Sequence, residues 1–150
     1  MDPALKQEIV AILEEANDLT IATVREDGDP QATTVSYVND GLTIYFGFAA
    51  QCQKAKNIAR NPKVSLTVNL PYASWKGIRG LSIGGKAELV TDPSEQEQVA
   101  QLMFQKFPQI AAYAPTELEE IVLFRVTPEI ISVLDYRRGF GHTDLVKVAA

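Results

Sequence analysis

About six short runs of alternating apolar and polar residues, each closed by turn-forming residues, constrain this chain more than any other feature of its sequence. A period of two puts every second side chain on one face of a strand, and runs this short must pair with neighbours to bury that face. Leu19 to Arg25 is the first run, closed by Glu26-Asp27-Gly28-Asp29-Pro30. Gln31 to Val38 is the second, closed by Asn39-Asp40-Gly41, whose Asp-Gly step suits a tight hairpin. Leu42 to Phe48 is the third, and Val64, Leu66 and Val68 mark a fourth. Gly77 to Val90 is a long fifth, where Gly80, Gly84 and Gly85 mark a bulge, a bend or a close approach. Ile121 to Val126 and Ile130 to Asp135 form a last pair, or one strand kinked at Pro128.

Helices fall between these runs. Asp2-Pro3 supplies an N-cap and a first helical residue, and Leu5, Ile9, Ile12, Leu13 and Ala16 make an apolar stripe. Asp92-Pro93-Ser94-Glu95 opens a second helix, with Val99, Leu102 and Met103 facing inward and an end near Phe107-Pro108. Ala114 to Glu120 is read as a short turn or helix, and Tyr136 to His142 as a polar, glycine-rich tail lying over something else. The expected architecture is mainly β: a six-stranded antiparallel barrel with peripheral helices in a single domain over 1–150. The strands carry Val, Ile, Leu, Thr and Tyr on both faces. The outside of the barrel is therefore expected to be covered too, by a helix or by a second subunit in a homodimer.

At 150 residues the chain suffices for one domain with a real core. No apolar run approaches a membrane span, and acidic residues interrupt the N-terminus where a signal peptide would be apolar. One cysteine forms no internal disulfide, and one Cys with one His does not make a zinc site, so a reducing cytoplasm is expected. The net charge of −5 argues against nucleic-acid binding but leaves room for one local cationic pocket.

Such a pocket has a candidate between Ala49 and Val68. Cys52, Ala55, Ile58 and Ala59 recur at helical spacing, with Lys54, Lys56, Asn57 and Arg60 off that stripe and Asn61-Pro62 as the stop. Ala49, Ala50 and Gln51 are poor caps for the first turn. Free amides, the helix dipole and the Lys54 ammonium make an anion site there; the other reading is a frayed surface helix with solvated lysines.

The ordered set Leu19-Thr20-Ile21-Ala22-Thr23-Val24, Thr33-Thr34-Val35-Ser36-Tyr37-Val38, Leu42-Thr43-Ile44-Tyr45-Phe46, Lys54-Ala55-Lys56-Asn57-Ile58 and Pro62-Lys63-Val64-Ser65-Leu66 resembles the pyridoxamine 5′-phosphate oxidase-like family, the FMN-binding split barrels. The resemblance continues through Gly85-Lys86-Ala87-Glu88 to Phe124-Arg125-Val126-Thr127-Pro128. It implies a homodimeric flavoprotein with FMN at the subunit interface, acting as an oxidoreductase on a small molecule or with a nicotinamide donor. It also implies that Thr33, Thr34 and Val35 lie along the flavin ring. Tyr45, Phe46 and Gly47 would end a strand beside the cofactor, Gln53 and Lys54 would grip its phosphate, and Arg79 is a further candidate for the ribityl or phosphate end. Related cofactors in this broad superfamily are deazaflavin and haem, and a non-enzymatic flavin-binding stress protein is a third reading.

Three departures argue against oxidation of pyridoxamine phosphate itself. Cys52 stands where the family often has a hydroxyl residue, Gly80 where the oxidases carry a glutamine, and the tail lacks their Arg-x-His-Asp-Arg ending. His142 could close over the flavin, donate a proton or bind haem iron, or simply be solvated. Trp75 is read as a packing or stacking aromatic, Arg137-Arg138 as a surface pair or an anion gate, and Cys52 as a small apolar contact.

Overall fold

The computed structural model describes residues 1–112 and 120–148. The turn or helix expected over Ala114 to Glu120 thus lies, except for Glu120, outside the described residues. Helix α1 (Pro3–Glu15) begins where Asp2 accepts a hydrogen bond from the Ala4 amide at 3.2 Å, and it buries Ile9, Ile12 and Leu13. The strands are β1 (Asp18–Val24), β2 (Pro30–Ser36), β3 (Val38–Asp40), β4 (Thr43–Ala49), β5 (Lys63–Asn69), β6 (Arg79–Leu89), β7 (Ile121–Asp135) and β8 (Thr143–Lys147). Helix α2 (Gln53–Arg60) joins β4 to β5, and α3 (Pro93–Lys106) follows β6.

All strands pair antiparallel in one sheet, ordered β2-β1-β5-β6-β7-β4-β3, with β8 also on β7. This is the mainly-β split barrel with peripheral helices, although the described residues form eight strands where the sequence suggests six. Both additions have physical causes. The run Gln31 to Val38 divides at Tyr37, whose ring is fully buried and whose hydroxyl donates to the Leu13 carbonyl at 2.6 Å. The tail also pairs: Thr143 to Lys147 meets Leu134 to Ile130 on the edge of β7 that β4 leaves free.

The last strand pair is a single strand, β7. It shifts register opposite Gly84 and Gly85, where Glu129 is the extra residue of a bulge. A Cβ at Gly85 would lie 2.4 Å from the Thr127 carbonyl oxygen, so only glycine lets β6 and β7 approach at the bend. Inside the curl, Leu19, Ile21, Leu66, Leu81, Ile83, Val126 and Ile131 form the core with the buried face of α1.

The division at Tyr37 opens the barrel. The chain pairs with β1 as far as Ser36, crosses over at Tyr37, and pairs with β4 from Val38 against Tyr45 onward. Beyond that point β4 continues through Gly47 and Phe48 with β7 on one side only. Val35 and Ser36 therefore form one lip of a wedge and Gly47 and Phe48 the other.

Candidate functional site

A cavity of about 660 Å³ fills this wedge. Val35, Ser36, Gly47 and Phe48 line it from the two lips, with Ile121 and Leu123 of β7 behind them. Met103 and Phe104 of α3, then Phe107 and Ile110, make the facing wall. A Cβ at Gly47 would lie 2.9 Å from Leu123 Cδ2 and 3.2 Å from Ile121 Cγ2, so a side chain there would push into β7. β2 is an edge strand, so alternate residues present N–H and C=O groups away from β1 with no strand to receive them.

Lys54 lines the same cavity, its Nζ 5.1 Å from the Phe48 ring centroid. It stands in the first turn of α2, whose N-cap is Cys52; that side chain makes no capping hydrogen bond. The packed face of α2 differs from the expected stripe in two positions. Ala59 is exposed, and Asn57 is buried instead. Asn57 Nδ2 donates to Thr23 Oγ1 at 3.0 Å and to Gln31 Oε1 at 3.1 Å, while its Oδ1 accepts from Gln53 Nε2 at 2.8 Å. A buried amide whose oxygen and nitrogen are both hydrogen-bonded is tolerated in a core, and here it ties α2 to β1 and β2.

Two anchors hold α3 in place. Near its start, Glu95 accepts from Arg125 Nη1 at 2.7 and 2.8 Å and from the Tyr45 hydroxyl at 2.9 Å. The Arg125 hydrogen bond, seconded by that of Tyr45, keeps the Glu95 carboxyl below its ordinary range. Burial, then the Glu95 hydrogen bond, pushes the Tyr45 hydroxyl up to about 12. At the other end, Lys106 Nζ sits 4.0 Å from the Tyr37 ring centroid. It is buried without a hydrogen-bond partner among the described residues, and desolvation lowers its pKa.

The expected site residues divide into three groups. Val35, Gly47 and Lys54 line the cavity; Thr33 and Thr34 continue the same lip, and Gln53 adjoins it. Thr33 pairs with Ile21 and shares its inner face, whereas Thr34 is exposed on the other face. Tyr45 and Phe46 are packing residues within this chain: Tyr45 turns to α3, and Phe46 is fully buried, 5.4 Å from the Phe48 ring and 6.4 Å from that of Phe124.

Arg79 and His142 stand elsewhere. Gly47 pairs with Leu123 and Arg79 with Asp135, so these meet β7 at opposite ends, roughly 40 Å apart along the strand at about 3.3 Å per residue. His142 lies beside Asp144, its Nε2 3.2 Å from a carboxylate oxygen, and Trp75 packs in the open against Phe140 at 6.0 Å. The wall residues Met103, Phe104 and Phe107 are absent from the expected site. The sequence signal for them was Phe104, an aromatic off the stripe of Val99, Leu102 and Met103; in the fold it is half exposed.

That far end has a pH signature of its own. Asp135 is buried and accepts from Arg137 Nε and Nη2, each at 2.8 Å. These bonds outweigh desolvation and lower its pKa from 3.8 to about 2. A depressed carboxyl contributes its full stabilisation above the unfolded value and loses it as pH falls through the folded one. Acid titration should therefore cost stability between pH 3.8 and about 2, and Asp135→Asn should flatten that stretch in a pH series of denaturant melts.

No helix among the described residues is long and apolar enough to cross a membrane. The family model described as pyridoxamine 5′-phosphate oxidase matches residues 5–135. A pyridoxine/pyridoxamine 5′-phosphate oxidase of Bdellovibrio bacteriovorus is 32% identical over 122 residues, which cover 80% of this chain but 59% of that protein. General stress protein 26 of Bacillus subtilis is 21% identical over 131 residues, 87% of this chain and 89% of that one. The structure of a haem-binding protein from Mycobacterium smegmatis shares the fold, with a TM-score of 0.81 at 19% identity, covering 98% of this chain and 59% of that chain.

Proposed function

The chain belongs to the pyridoxamine 5′-phosphate oxidase family, and on that premise we propose that it binds FMN in the wedge between β2 and β4 and acts as a cytoplasmic, homodimeric oxidoreductase. One observation carries the reading: a largely apolar cavity has a lysine at an uncapped helix N-terminus among its lining residues. FMN joins a planar ring to a phosphate through a polyol chain, and the cavity offers matching surroundings. Phe48, Val35 and Leu123 suit the ring, and the outward backbone groups of β2 suit its polar edge. The first-turn amides of α2 and Lys54 suit the phosphate. At about 660 Å³ the cavity lies within the ~300–1,000 Å³ of small-molecule sites.

Bound FMN would supply hydride or electron transfer. The chain's own part is to hold and shield it: Lys54 neutralises phosphate charge, Thr33 and Thr34 with their strand orient the ring, and α3 excludes water. Arg79 and His142 do not reach this cavity from the same chain, so any contact they make with the cofactor comes across a subunit interface. The same separation favours FMN over a haem ligated by His142 here.

Reconstitution tests the proposal. The purified protein should take up FMN saturably with a flavin spectrum, and NADH or NADPH should bleach it under anaerobic conditions. Failure to take up FMN would overturn the reading; uptake without bleaching would leave a flavin-binding protein and remove the nicotinamide-dependent activity.

A further inference from the structure

We propose that the wall formed by Met103, Phe104 and Phe107 is a second subsite of the cavity, and that it takes a neutral, planar aromatic substrate such as a quinone. The inference rests on the FMN reading for what fills the Lys54 end, and on the wall's own chemistry for the rest. Lys54 is the one charged side chain among the described lining residues. The Lys106 ammonium lies behind the wall, 4.0 Å from the Tyr37 ring centroid and 5.6 Å from that of Phe107, and does not itself line the cavity.

The facing wall instead presents a thioether and two phenyl rings, with Gln109 as a neutral polar neighbour. A phosphate ester pressed there would lose its hydration with no cation at the cavity surface among the described wall residues to replace it. A flat neutral ring gains offset-stacked, edge-on and sulfur–aromatic contacts from the same groups. Phe104 remains half exposed, so an aromatic surface is available for a ligand to cover. The anchors at Glu95 and Lys106 fix both ends of α3 beforehand, which lowers the cost of ordering the wall around a ligand.

The test is equilibrium dialysis of FMN-loaded protein against menadione and, separately, pyridoxamine 5′-phosphate. Menadione should bind saturably, and Phe104→Ala should weaken it by roughly tenfold more than it weakens FMN, as expected for loss of one aromatic contact. Phe104→Leu, which keeps apolar bulk without the ring, should fall between the two and rules out a folding defect. Absence of menadione binding, or tight binding of pyridoxamine 5′-phosphate at this wall, would overturn the proposal. So would a Phe104→Ala protein that binds menadione normally but sediments as a monomer, which would assign the wall to subunit contact. If FMN fails to bind while menadione still depends on Phe104, the cofactor reading falls and this subsite stands.

Discussion

Phe46→Ala lowers the unfolding free energy by about 3–5 kcal/mol, the range for truncating a buried phenylalanine. The ring has no exposed surface and stacks near Phe48 and Phe124 on the inner face of β4 and β7. Deleting it removes apolar area from the core and leaves a hole between two strands that cannot close freely, because Ile44 to Ala49 are held in register with Val126 to Ile121. The variant should show a lower urea midpoint with an unchanged slope. A loss under about 1 kcal/mol would mean that the site collapses without a cavity, and that the core is not organised around this ring.

Lys54→Ala should weaken FMN binding by about 1–3 kcal/mol, the worth of a charge-assisted phosphate hydrogen bond. That corresponds to a dissociation constant raised roughly 5- to 150-fold. Lys54→Arg keeps the charge and should retain most of the affinity. The loss should shrink as salt screens a partly buried cation that still reaches solvent. Titration of each variant with FMN, followed by quenching of flavin fluorescence, measures all three. Equal affinity in the alanine variant would remove Lys54 from the phosphate site, and would return the first turn of α2 to an ordinary surface role.

These two residues also show how far the sequence can be read. Lys54 was legible because capping is local: Ala49, Ala50, Gln51 and Cys52 offer no hydroxyl or carboxylate to the first turn. The start of α1 and the hairpin at Asp40-Gly41 were legible for the same reason. Phe46 was not, because alternation along β4 says which residues share a face but not which face meets the core. Both faces of β4 are covered, one by the barrel interior and one by α3.

The wedge is harder still to foresee. Gln31 to Val38 contains no Gly, Pro, Asn or Asp to mark a turn, and the tertiary exchange of partners at Tyr37 divides it. Asn57 escaped notice because its polar side chain suggests solvent, whereas Thr23, Gln31 and Gln53 come to it from three other positions in the fold. The separation of Arg79 and His142 from the cavity depends on the length of β7. A proline at 128 and a glycine pair opposite it left that length ambiguous between one strand and two.

Docking of a phosphate group at the start of α2 is tested most sharply by comparing FMN with riboflavin, which has the same ring and polyol but no phosphate. The unmodified protein should bind FMN at least ~10-fold more tightly than riboflavin, and Lys54→Ala should remove most of that difference. Equal affinities for the two flavins would contradict that docking.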